Sequence, residues 1–140
     1  MAVIVSLLRA VNLAGHNTVK MDALRALYES LGMRNAQTHV QSGNVVFRSA
    51  AKDLGRLGKR IEDAIEENFG FRTSIVLRTS GEMTDIVRRN PLAKRTDIEP
   101  NKLAVSFLAG QPGPEAKEKV EQIKVGPEEI FLDGRELYIY

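Results

Sequence analysis

Gln37-Thr38-His39-Val40-Gln41-Ser42-Gly43-Asn44-Val45-Val46-Phe47-Arg48-Ser49 is the stretch on which the fold turns. Both flanks have β character, and Ser42-Gly43 between them includes the residue that takes a positive φ without steric cost, so the segment reads as a β-hairpin. Towards the N-terminus, Met21, Leu24, Leu27, Tyr28 and Leu31 recur at helical spacing, with Asp22 at the positive end and Gly32 as the stop. Ahead of that helix, Ala2 to Leu8 is apolar and rich in β-branched residues, a strand that ends where Arg9 turns the composition polar. Towards the C-terminus, Lys52 to Phe69 places Leu57, Ile61, Ala64, Ile65 and Phe69 on one helical face before Gly70, and Thr73 to Arg78 is the next strand. Strand, helix, strand, strand, helix, strand is the split βαβ order of a ferredoxin-like sandwich, so the expected class is α+β.

The second half starts the same order again. Thr79 and Glu82 have the spacing of a capping box for a short helix through Met83, Ile86 and Val87, stopped at Asn90-Pro91. Lys102 to Ala109 is a strand, Pro114 opens a helix with Ala116, Val120 and Ile123 as its stripe, and Glu129 to Leu132 and Arg135 to Tyr140 flank an Asp133-Gly134 hairpin turn. The expected organisation is a βαββαβ unit over residues 1–79 and a second ferredoxin-like unit over 80–140. That second unit is incomplete at its C-terminus, as though a closing helix and strand were trimmed away. The last residues, Leu137-Tyr138-Ile139-Tyr140, keep full β pattern, and an uncovered final strand there would be a site for self-association into a homo-oligomer.

In the first unit a helix crosses between the first two strands, which makes them parallel, and the third runs back between them. Their outlets, at Arg9 and Gln41, then lie on the same sheet edge. That topology brings Arg9, Asn12, Gly15, His16 and Asn17 towards Gln41, Ser42, Gly43 and Asn44. The set holds amides, a hydroxyl, one certain cation, one histidine and two glycines where backbone can approach a ligand. It has no carboxylate, hence no hard-metal cage and no triad, and suits a small anionic or polar ligand better than a reaction. The first turn of the helix near Met21 adds amide donors and a favourable dipole. The same residue types are ordinary components of loops, where they tie down backbone.

Bulk properties narrow the function further. A hydrophobic fraction of 43% and a charged fraction of 27% over 140 residues describe an ordinary globular chain. Twenty Lys and Arg against eighteen Asp and Glu leave a net charge of +2, too small for strong long-range attraction to polyanions. The basic segment Arg88, Arg89, Lys94, Arg95 and Lys102 is the alternative, a contact for nucleic-acid phosphates. Against an RNA-recognition sheet, the run Asn44 to Arg48 carries one aromatic and Ala2 to Leu8 none. The absence of cysteine removes disulfides and thiolate chemistry and fits a reducing, cytoplasmic setting. The apolar start is too short for a membrane span and lacks a signal-peptide pattern. No nucleotide, metal or nucleophile motif is present, so neither a cofactor nor a catalytic residue is expected.

Leu7-Leu8-Arg9-Ala10-Val11-Asn12-Leu13-Ala14-Gly15, then Met21, Leu24-Arg25, Leu31-Gly32, Thr38, Gln41 to Phe47, Asn90-Pro91 and Val105-Ser106-Phe107-Leu108 resemble the bacterial family called domain of unknown function 1697. The resemblance spans essentially the whole chain. It implies an α+β fold of two ferredoxin-like halves in bacterial cytoplasmic proteins with no established activity. Its first motif falls on Arg9, Asn12 and Gly15 and its second on Gln41, Ser42, Gly43 and Asn44. Members usually have Gly in place of Ala10. They usually continue into a helical tail with Ser-Lys-Leu and Arg-Asn-Trp-Asn-Thr motifs, which this sequence lacks.

Overall fold

The structure is a computed structural model that describes residues 1–9, 11, 18–39, 43–92, 103–122 and 129–140. The chain divides into two compact units, Met1–Glu82 and Met83–Tyr140. The first contains β1 (Ala2–Leu8), α1 (Met21–Ser30), β2 (Arg34–His39), β3 (Asn44–Ser49), α2 (Leu54–Phe69) and β4 (Ile75–Thr79). Its sheet has the order β2-β3-β1-β4 with every neighbouring pair antiparallel, which is the ferredoxin-like arrangement. Both β1 and β2 run opposite to β3, so they point the same way with β3 between them.

Alternation along β1 explains how the sheet faces its helices. Ile4, Ser6 and Leu8 are buried, whereas Val3, Val5 and Leu7 on the other face are half-buried. Ile4 and Leu8 join Val45, Phe47 and Leu77 from the sheet, Leu24, Leu27 and Tyr28 from α1, and Leu57, Ile61, Ala64 and Ile65 from α2 in one core. Helix α2 starts two residues later than the periodicity suggests because the Asp53 carboxylate accepts from the Arg56 N–H at 3.1 Å and fixes the N-cap. It ends at Gly70, φ 78°.

A polar pair lies inside this core. Ser6 Oγ and Tyr28 Oη share a 2.7 Å hydrogen bond, and both residues are fully buried. Burial pushes the Tyr28 phenol well above its ordinary range, the bond from Ser6 pulling the other way. A raised acid pKa stabilises the fold fully below the unfolded phenol's value of about 10, and the contribution is lost above it, where the unfolded chain releases a proton that the folded one keeps. In urea unfolding followed from about pH 8 to about pH 11, the midpoint is expected to fall above about pH 10. Tyr28→Phe should start from a lower midpoint and show a shallower fall; an unchanged slope would contradict the assignment. The Tyr138 phenol, also raised by burial, supplies part of the remaining fall.

The second unit is built from most of α3 (Ser80–Arg89), then β5 (Ala104–Phe107), α4 (Pro114–Glu121), β6 (Ile130–Asp133) and β7 (Glu136–Ile139). The capping box at the start of α3 forms reciprocally: Thr79 N–H donates to Glu82 Oε1 at 3.0 Å, and Glu82 N–H to Thr79 Oγ1 at 3.1 Å. Pro114 occupies the first turn of α4 after an N-cap at Gly113. The sheet order β5-β7-β6, antiparallel throughout, is that of the first three strands of a ferredoxin-like unit.

Two expectations need correction here. The final strand is not bare: β7 is the middle strand of its sheet, paired on both sides, and Tyr138 is fully buried with its hydroxyl donating to the Ile86 carbonyl at 2.7 Å. An edge-to-edge association along it has no free edge to use. The hairpin turn is also shifted by one residue. Asp133 pairs with Glu136, so the two-residue loop is Gly134-Arg135, with φ 61° at Gly134. This register sets Leu132 opposite Leu137 and Ile130 opposite Ile139. A loop at Asp133-Gly134 would instead have put Leu132 against Arg135, and apolar pairing outweighs the local turn preference.

Candidate functional site

The outlets of β1 and β2 lie together. Asn44 is the cross-strand partner of both Leu7 and His39, and the Leu8 N–H donates to the Gly43 carbonyl at 3.1 Å. Gly43 is buried at φ 84°, and a Cβ there would lie 3.1 Å from the Leu8 Cβ and 3.3 Å from the Val11 Cβ. The chain leaving β1 therefore passes directly over the start of β3, and only a glycine fits beneath it. Of the nine residues nominated for this rim, Arg9, Gly43 and Asn44 fall among those described and gather at this edge. Asn12, Gly15, His16, Asn17, Gln41 and Ser42 lie outside the described residues.

Arg9 is held by its backbone. Its N–H donates to the Ser74 carbonyl at 3.1 Å, and its carbonyl accepts from Thr73 Oγ1 at 2.6 Å. Thr73 was expected to begin the fourth strand; instead β4 starts at Ile75, and the buried Thr73 hydroxyl clamps the end of β1. The residue itself is exposed, and its guanidinium has no ion-pair partner among the described residues. Thr73 and Ser74 are rim residues that a reading of loops alone does not find. The signal was in the topology, since β4 runs antiparallel to β1 and must begin where β1 ends.

Helix α1 also begins on this side of the sheet, because it links the end of β1 to the start of β2. Its N-cap, Lys20, has extended backbone and no side-chain capping bond. The first-turn N–H groups are therefore free of the usual side-chain acceptor. His39, at the end of β2, is exposed.

The basic alternative changes character in the structure. Arg89 is engaged by three carboxylates: Asp85 Oδ2 at 3.1 Å from Nε, Asp133 Oδ2 at 3.0 Å from Nη1 and Glu136 Oε1 at 3.4 Å from Nη2. Burial lowers the Arg89 guanidinium's pKa, but the bonds to Asp133 and Asp85 outweigh it, and the net direction is upward. This arginine fastens α3 to the β6–β7 hairpin, surrounded by negative charge that repels a phosphate backbone. Arg88 is exposed, and Lys94, Arg95 and Lys102 lie outside the described residues. Among the described residues no group of three or more His, Cys, Asp or Glu is placed to hold a metal ion, and no helix is long and apolar enough to cross a membrane.

Antiparallel sheets in ferredoxin-like order, each accompanied by helices, make this an α+β protein of two ferredoxin-like halves. The chain belongs to the family described as "Protein of unknown function (DUF1697)", whose model matches residues 1–138. Among solved structures it is similar to a conserved bacterial protein from Streptococcus pneumoniae. The TM-score is 0.82 at 20% identity, and the match covers 99% of this chain and 76% of that one. At that identity the likeness is one of fold. No curated protein matches the sequence.

Proposed function

We propose that this protein is a binding module, set in the bacterial cytoplasm, whose rim at the end of β1 takes a small anionic or polar ligand. The observation that carries the reading is Arg9. Both of its backbone polar groups are spent, on the Ser74 carbonyl and the Thr73 hydroxyl, while its side chain is exposed at the sheet edge where the Leu8 N–H meets the Gly43 carbonyl. A fixed backbone with an uncommitted cation is the arrangement that lowers the ordering cost of binding an anion. In this reading Arg9 supplies the counter-charge, and Asn12, Gln41, Ser42 and Asn44 supply hydrogen bonds. Gly15 and Gly43 allow close backbone approach, and His16 and Asn17 border the ligand.

The test is a thermal-shift panel of anionic metabolites and nucleotides, followed by calorimetry on any hit. Arg9→Ala is expected to weaken a hit roughly ten- to a hundredfold, the worth of one charge-assisted hydrogen bond. Stability should change by no more than about 0.5 kcal/mol, because the lost side chain is exposed and makes no ion pair among the described residues. If no compound shifts the wild type and Arg9→Ala unfolds easily, the rim is loop architecture alone.

A further inference from the structure

A second basic feature lies at the other end of the first sheet. Val3 and Leu8 are five residues apart on β1, which separates this end from the rim by roughly 17 Å. Here Arg34 and Arg48 are direct cross-strand partners on β2 and β3, and Arg48 is also opposite Val3. Like charges facing each other across a ladder destabilise it. Both arginines are exposed, and neither forms an ion pair among the described residues.

The backbone is unusual at the same place. One extra residue enters β2 between Arg34 and Gln37, and Asn35 takes φ 55°, the sole positive φ among the described non-glycine residues. A bulge on an edge strand bends it and discourages a further strand from pairing there. That accounts for the kink but not for a second arginine opposite the first. Beside the bulge is an open pocket of about 480 Å³, with Val3 and Val46 as apolar lining and Arg25, Asn35, Gln37 and Arg48 as polar lining. Its volume is in the range of small-metabolite sites. Among the described residues Arg25 is tied only to the exposed Asp22, at 3.7 Å, a pair of little energetic weight. Among the described residues, the one carboxylate in the lining is Glu29.

We propose that this bulge pocket is a second anion site, taking the phosphate group of a small phosphorylated polyol or sugar. Arg48 and Arg25 receive the phosphate, and Arg34 adds charge from across the ladder. Asn35, Gln37 and Glu29 provide the amides and the acceptor that suit neighbouring hydroxyls. Planar guanidinium groups match phosphate geometry, and a dianion beside Arg34 and Arg48 turns their repulsion into attraction. The site stands independently of the rim.

Inorganic phosphate, ribose 5-phosphate and ribose are the probes, read by melting temperature against sodium chloride at matched ionic strength. The wild type is expected to gain several degrees with both phosphates, more with ribose 5-phosphate, and nothing with ribose or the chloride control. Arg48→Gln should bind about tenfold more weakly or worse. In the absence of phosphate, Arg48→Gln and Arg34→Gln should melt no lower than the wild type, since each removes a like-charge contact; a purely structural pair of arginines would make both variants less stable. Arg9→Ala should keep the phosphate response, which separates this site from the rim. In an amide-resolved titration of the wild type, the side-chain NH₂ signals of Asn35 and Gln37 should move. Equal phosphate shifts in wild type and both variants, or an equal effect of chloride, would overturn the proposal.

Discussion

Phe47→Ala is expected to destabilise the first unit by about 3–5 kcal/mol, enough to unfold a domain of ordinary stability under mild denaturant. Phe47 lies on β3, the inner strand between β2 and β1, and is fully buried. Its ring meets Tyr28 edge to face, with centroids 5.5 Å apart and planes at 67°. Truncation removes the buried ring's transfer free energy and the aromatic pair, and leaves a cavity that a paired inner strand cannot close. Phe47→Leu keeps most of the volume and should cost less than half as much. Urea unfolding with a probe in each unit checks the result: the midpoint of the first unit should fall steeply, and comparable stability in Phe47→Ala and the wild type would mean that this core is misassigned.

The same residue shows how far the sequence alone reaches. The β-branched and aromatic run Val45-Val46-Phe47 marks a strand, and helical spacing through Leu57, Ile61 and Ile65 marks a helix with one apolar face; both are short-range patterns. From them the strand order of the first unit follows, because a crossover helix leaves few arrangements. What escaped the sequence is set by partners far along the chain. Thr73 looks like the start of a strand until its hydroxyl finds the Arg9 carbonyl, 64 residues away. Arg89 reads as one more cation in a basic segment until Asp133 and Glu136, more than forty residues on, close around it. The bulge at Asn35 leaves no mark, since an Asn in a polar strand does not announce its φ. The Asp133-Gly134 signal located a hairpin correctly but not its register, which the pairing of Leu132 with Leu137 decided. The rim was legible as a place, from topology, while the clamp that fixes Arg9 was not.

Gly43→Ala is expected to cost about 2–4 kcal/mol, a large effect for adding one methyl group at a loop end. Two penalties combine. A left-handed backbone, here φ 84°, costs a residue with a Cβ roughly 1–2 kcal/mol. The added carbon would also stand 3.1 Å from the Leu8 Cβ and 3.3 Å from the Val11 Cβ, and pushing packed neighbours apart typically costs about 1–3 kcal/mol. Relief is hard to find, because Leu8 is bonded through its N–H to the Gly43 carbonyl itself and Arg9 is held to Ser74 and Thr73. Gly70→Ala is the control: its φ is 78° but nothing lies within 4 Å of the added Cβ, so it carries the backbone penalty alone and should lose about half as much. The difference between the two variants, read from chemical denaturation, measures how tightly the chain leaving β1 is pressed onto the hairpin. If the rim binds a ligand there, Gly43→Ala should weaken that ligand and the fold together, whereas Arg9→Ala weakens the ligand alone. Equal stability losses in Gly43→Ala and Gly70→Ala would mean that the two segments do not touch, and the rim would lose its physical basis.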